Sequence, residues 1–162
     1  MAEIVKVGMA DLKVCTSPDG LTTLGLGSCI GIAIRDPMTK IGGLAHIMLP
    51  DSKAMRTPMT NKAKFAYTGI EELVRQMEGR GARKNRMVAK IAGGATMFAF
   101  QGKADMVQVG LRNAEACVAK LQELGIPILA RDTGANYGRT VIFYPETGDY
   151  VVRAVGKPEK TI

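Results

Sequence analysis

The chain has 162 residues, 46% of them hydrophobic and 23% charged, with 22 lysines and arginines against 15 acidic residues and a formal net charge of +7. That length suits one domain with a real core, and the composition excludes an intrinsically disordered chain. No run approaches the ~18 apolar residues of a membrane span, and MAEIVKVGMADLK at the N-terminus lacks a secretory layout; a cytoplasmic protein without membrane insertion is expected.

In chain order, residues 3–9 and 12–16 read as short strands, and Pro18-Asp19-Gly20 as a turn. Residues 21–26 form a β-type run that ends in glycines. Residues 30–35 alternate strictly, with Ile30, Ile32 and Ile34 on one face. Asp36 to Thr39 reads as a four-residue turn and 40–49 as the return strand; 51–60 is polar and reads as a surface loop. A helix is predicted over about 61–78, with Ala63, Ala66, Tyr67, Ile70, Leu73, Val74 and Met77 at helical spacing. Residues 87–92 read as a buried strand before Gly93-Gly94. A second helix is predicted over about 111–124, with Gly125 ending it. Strands at 126–132, 139–145 and 150–155 follow, the last two joined by a turn at Thr147-Gly148-Asp149.

This order predicts an α/β (α+β) domain, with mostly antiparallel sheets, possibly stacked, and two main helices packed on them. Residues 1–156 form one domain, and the polar residues 157–162, with Pro158, read as a flexible tail.

Three cysteines at irregular spacing, Cys15, Cys29 and Cys117, do not suggest a disulfide framework. Cys117 lies on the inward face of the second helix and reads as core. One histidine and no Cys-x-x-Cys supply no metal site, and no cofactor is expected. The positive charge suits an anionic partner. With no Trp, four Tyr and four Phe, and no basic run interleaved with aromatics, nucleic acid is not the expected one.

The segment TLGLGSCIGIAIRDPMTKIGGLAHIMLP, residues 23–50, holds that one histidine, His46, together with Cys29. A hairpin closed by Asp36 to Thr39 sets Arg35 opposite Lys40, and the same register sets Cys29 opposite His46 on one face. A one-residue slip would separate them. That face also carries Gly31, Ala33 and Gly42, small residues that suggest a binding groove; the other carries isoleucines suited to a core. Taken separately, the cysteine would be core and the histidine a satisfied polar residue. Together they form the unit of cysteine nucleophile chemistry, in which an imidazolium lowers the thiol pKa. Gly25, Gly27 and Ser28 precede Cys29, and a turn there aims the Ser28 and Cys29 N–H groups at a developing oxyanion. Orienting the imidazole requires a third group, a hydroxyl or carbonyl at Thr22 or Thr23. Gly25-Leu26-Gly27 and Ile91 to Thr96 have some look of phosphate loops; the first lacks the third glycine and any Gly-Lys-Ser/Thr, and the second reads better as a tight turn near the cleft.

TLGLGSCIGIAIRDP followed by GGLAHIMLPDS resembles the CheD family of chemoreceptor glutamine deamidases. The likeness continues through AKIAGGATMF, VGLRNAEA, LARDTGANYGR and ETGDYVVRAVG and covers nearly the whole chain. The resemblance implies a cysteine hydrolase with a fold similar to the catalytic domains of bacterial deamidating toxins. It implies Cys29 as nucleophile, His46 as general base and Thr23 as the group that orients His46; Gly27, Ser28 and Gly31, read from the residues themselves, are expected around the oxyanion and substrate groove. The implied substrates are glutamine side chains of methyl-accepting chemotaxis receptors, with glutamyl methyl esters as a second class. The implied partner is the CheC phosphatase and, through it, phosphorylated CheY. The alternative is a non-catalytic module that docks on CheC and stimulates it; a cysteine protease would share the dyad but cut backbone bonds.

Overall fold

The computed structural model describes residues 2–51, 61–96 and 108–162. The loop expected at 51–60 therefore lies, beyond its first residue, outside the described residues. Among the described residues ten strands form two five-stranded sheets. The first sheet has the order β1-β3-β8-β9-β10, from Ile4–Lys6, Gly20–Leu26, Arg139–Tyr144, Asp149–Arg153 and Lys160–Thr161. The second has the order β2-β5-β4-β6-β7, from Asp11–Thr16, Ile41–Ile47, Ile30–Asp36, Val88–Gly93 and Ile128–Thr133. Among the described strand pairs only β1–β3 and β6–β7 are parallel. Among the described residues no helix is long and apolar enough to cross a membrane.

Two α-helices of the described residues, α1 (Ala66–Gly79) and α2 (Val109–Glu123), pack on the second sheet. Ile70, Leu73, Val74 and Met77 of α1, with Ala114, Cys117 and Leu121 of α2, bury the isoleucine face of β4 and β5. The reverse face of that sheet meets the first sheet. Leu21, Leu26, Val141, Phe143, Tyr150 and Val152 come from one side, and Cys15, Cys29, Ala33, Leu44 and Ala92 from the other. The result is three layers, helices on sheet on sheet, so the helices cover one sheet rather than both.

This layering changes the reading of the small residues beside Cys29 and His46. They do not line an open groove. A Cβ on Gly31 would stand 2.7 Å from the Tyr150 hydroxyl, and one on Gly42 2.5 Å from Pro145. The space is filled by the first sheet, and Tyr150, fully buried, donates to the Gly31 carbonyl at 2.8 Å. Gly31 thus belongs to the sheet interface and does not line a substrate groove.

Residues 157–162 also depart from expectation. Lys160 and Thr161 pair with Val152 and Val151, and Ile162 exchanges backbone hydrogen bonds with Tyr150. Lys160 reaches Asp132, and Arg153 reaches Glu159. Polar composition mimicked a tail because an edge strand shows only one weakly apolar face.

The β4–β5 hairpin closes differently from expectation. Asp36 pairs with Ile41, so the loop is Pro37 to Lys40, with Lys40 at φ +57°. Asp36 fixes this loop: its carboxylate accepts the Met38 N–H, the Arg83 N–H and a forked pair from the Arg86 guanidinium at 2.8–3.2 Å. Burial alone would raise the Asp36 pKa, but the Arg86 and backbone hydrogen bonds outweigh it and hold the carboxyl well below the usual range. A depressed carboxyl contributes stability above its unfolded pKa and loses it as pH falls toward the folded value. Asp36→Ala leaves Arg86 and two N–H groups without their acceptor and is expected to cost about 2–4 kcal/mol. Urea unfolding at neutral pH measures this, and the deficit shrinks in acid.

Candidate active site

Three elements build the site. β3 contributes Thr23 from the first sheet, β5 contributes His46 from the second, and the bend at residues 27–29 leading into β4 contributes Cys29. Thr23 and His46 are both buried between the sheets, at 0% and 1% exposure, and Cys29 is 8% exposed. His46 pairs with Gly31 across β4–β5 and with Asp11 across β2–β5. The register therefore lies two residues from the expected one, and Cys29 is diagonal to His46 instead of directly opposite. A two-residue shift keeps each side chain on its face, so thiol and imidazole still share one side of the sheet. Diagonal neighbours have Cβ atoms roughly 7–8 Å apart or less, within reach of two side chains that turn toward each other. Among the described residues His46 Nε2 has no hydrogen-bond partner.

Thr23 decides which nitrogen of His46 carries the proton. Its hydroxyl donates to the Val7 carbonyl at 2.8 Å and stands 2.7 Å from His46 Nδ1. A hydroxyl has one proton, and the Val7 carbonyl can only accept. Thr23 must then accept from Nδ1–H, which leaves the lone pair on Nε2. The chain Val7 C=O, Thr23 O–H, His46 N–H thus locks one tautomer without a carboxylate. Thr22, the other sequence candidate, points its hydroxyl to the Val141 carbonyl instead. Asp11, next to His46 in the sheet, spends its carboxylate on the Gly8 and Leu12 N–H groups.

Burial sets the charge state of the pair. It raises the Cys29 pKa, against a smaller opposite pull from the residue's own N–H. It lowers the pKa of His46. Both shifts favour a neutral thiol beside a neutral imidazole at physiological pH. Burial of each group thus works against the expected imidazolium-activated thiolate.

The backbone of Cys29 is held from behind. The Gly94 N–H donates to the Cys29 carbonyl at 2.9 Å, and the Ala95 N–H to the Gly27 carbonyl at 2.9 Å. Gly93, at φ +114°, passes so close that a Cβ would lie 2.2 Å from the Cys29 oxygen. Gly93 and Gly94, both at positive φ, thus press on the peptide of Cys29. Asn113 of α2 donates to the Ser28 carbonyl at 2.9 Å. Gly27 and Ser28 are half-buried, and among the described residues no acceptor takes the Ser28 N–H. Sequence reading passed over Val7, because a backbone acceptor leaves no mark in residue type. It passed over Asn113 too, although a polar residue on the buried face of a helix is a readable signal.

The family model described as CheD chemotactic sensory transduction matches residues 48–154. A probable chemoreceptor glutamine deamidase CheD of Lachnoclostridium phytofermentans is 56% identical over 162 residues, covering all of both chains. A protein of the same description from Syntrophomonas wolfei is 51% identical over the same span. The chemoreceptor glutamine deamidase CheD of Halalkalibacterium halodurans is 48% identical, again over all of both chains. The family model begins after the cysteine and histidine, but these relatives align across them, and the chain belongs to the CheD family.

Proposed function

We propose that this chain is a chemoreceptor glutamine deamidase that converts glutamine side chains of methyl-accepting chemotaxis receptors to glutamate, with Cys29 as nucleophile, His46 as general base and Thr23 as the residue that orients His46. The observation that carries the assignment of roles is the Val7–Thr23–His46 relay, which leaves the Nε2 lone pair on the face shared with Cys29.

The chemistry follows from the neutral pair. Nε2 takes the thiol proton while sulfur attacks the side-chain amide carbon. The resulting imidazolium is stabilised by its Nδ1–H bond to Thr23. It returns the proton to the nitrogen, the C–N bond breaks, and ammonia leaves a thioester on Cys29. Water, deprotonated by Nε2, then attacks the thioester; glutamate is released and the thiol regains its proton. The Ser28 and Cys29 N–H groups are the donors assigned to the oxyanion, with Gly27 giving the bend its close approach. A glutamyl methyl ester would follow the same path with methanol as leaving group.

The charge of +7 suits an acidic receptor surface, with an attraction that added salt weakens. Action on the cytoplasmic helical bundle of a receptor would make this a cytoplasmic enzyme. CheC, and through it phosphorylated CheY, is the partner proposed for the same face, and Cys29→Ala should still bind it.

The test is ammonia release together with a deamidation-sized mass gain in a chemoreceptor cytoplasmic fragment. Backbone cleavage of the fragment, or no change at all, would overturn the assignment. The orienting role of Thr23 has its own check. Thr23→Val keeps the shape and deletes the hydroxyl, and is expected to lower kcat/KM by about 10–100-fold. Thr23→Ser keeps the hydroxyl and should stay within a few-fold of wild type.

A further inference from the structure

One side-chain amide ties the nucleophile to the base. Asn113 is fully buried on α2, and its Nδ2 donates to two carbonyls, Ser28 at 2.9 Å and Met48 at 2.9 Å. Ser28 directly precedes Cys29, and Met48 lies two residues after His46. Both partners are carbonyl oxygens, so the nitrogen faces them and each of its two hydrogens has an acceptor. Asn113 Oδ1 has no partner among the described residues.

The helix is seated to make this possible. Gly110, one turn earlier, packs on the Gly94-Ala95 backbone so closely that a Cβ would lie 2.4 Å from the Ala95 oxygen. That same turn donates to the Cys29 carbonyl. The first turn of α2 therefore braces the Cys29 bend through Gly93-Gly94 and through Asn113. The Met48 end of β5 is fixed independently, by its N–H donating to the Lys64 carbonyl at 2.8 Å.

We infer that Asn113 is a positioning residue for the proposed deamidation, which sets the separation of Cys29 and His46 by bridging the Ser28 and Met48 carbonyls. This role rests on the proposed function. The Ser28 carbonyl and the Cys29 N–H belong to one peptide unit, so rotation of that unit moves both the thiol and an oxyanion donor. An amide is suited to the task because one group supplies both hydrogens from one atom. Misplacement of reacting groups by about 1 Å costs on the order of 10²-fold. The cost falls on the chemical step, because Asn113 is buried and offers no surface to a receptor helix.

The experiment compares wild type, Asn113→Ala and Asn113→Ser by steady-state ammonia release from a chemoreceptor cytoplasmic fragment at 25 °C, with thermal melts to establish the folded fraction. The expected result is folded variants with kcat lowered about 10–100-fold and KM within about twofold of wild type. Asn113→Ser, which keeps one donor, should lie between wild type and alanine. Folded variants with unchanged kcat would overturn the inference, as would a rise in KM at constant kcat, which marks lost substrate contact. Failure of both variants to fold would make Asn113 a folding residue and overturn it too. A wild type that releases no ammonia sinks the deamidase assignment and this role together; an active wild type with unaffected variants sinks this role alone.

Discussion

Cys29→Ala is expected to abolish ammonia release from a chemoreceptor fragment, a loss of at least about 10⁴-fold, while leaving the fold intact. No other thiol can take over. Cys15 donates to the Asp19 carbonyl, and burial, then the Asp19 charge, against a smaller pull from Arg80, push its pKa up to about 11. Cys117 is fully buried on the inward face of α2. Cys29 sits at the edge of the inter-sheet core, where one sulfur atom is worth about 1 kcal/mol of packing. A melt within a few degrees of wild type, beside a dead enzyme, separates chemistry from structure. A variant that fails to fold would return Cys29 to the core.

His46→Gln is expected to cost about 10²–10⁴-fold in kcat/KM, the range of a lost general base. Glutamine can still hydrogen-bond to Thr23, so the loss reports the missing base and not a hole. The pH dependence adds a sharper test. The base must be neutral to work, and burial lowers its pKa. Wild-type kcat/KM should therefore hold as pH falls through the ordinary imidazole range near ~6.5 and fall only below it. Burial raises Cys29, so alkylation by iodoacetamide without substrate should be slow at neutral pH and climb only above the ordinary thiol range. A preformed thiolate–imidazolium pair would instead give fast alkylation on a plateau through neutral pH, and that result would refute the neutral resting state.

The sequence showed which residues share a face, but not how the faces are used. Strict alternation placed Cys29 and His46 on one side of the hairpin, and a side-chain period of two protected that conclusion from the register error. The register itself depended on the loop. Lys40 takes a left-handed conformation rarely used by lysine, so a loop one residue further on was not legible. Gly31, Ala33 and Gly42 looked like a groove because their covering residues, Phe143, Pro145 and Tyr150, come from more than a hundred residues away. The residues alone left Thr22 and Thr23 open, and the resemblance pointed to Thr23; strand phase gives the physical reason, because neighbours on β3 face opposite ways and Thr23 faces the histidine. The proposed catalytic pair is local in sequence, so its shared face could be read there. Its supports, Val7, Gly93-Gly94 and Asn113, are long-range and mostly backbone-mediated, and residue types alone do not announce them.

The most direct test of the central claim is a peptide mass map of a chemoreceptor cytoplasmic fragment incubated with wild-type protein in water enriched in heavy oxygen, with Cys29→Ala in parallel. Glutamate at discrete former glutamine positions, each carrying one solvent oxygen and absent with the variant, is the predicted result. An unmodified fragment, or conversion that persists with Cys29→Ala, would contradict it.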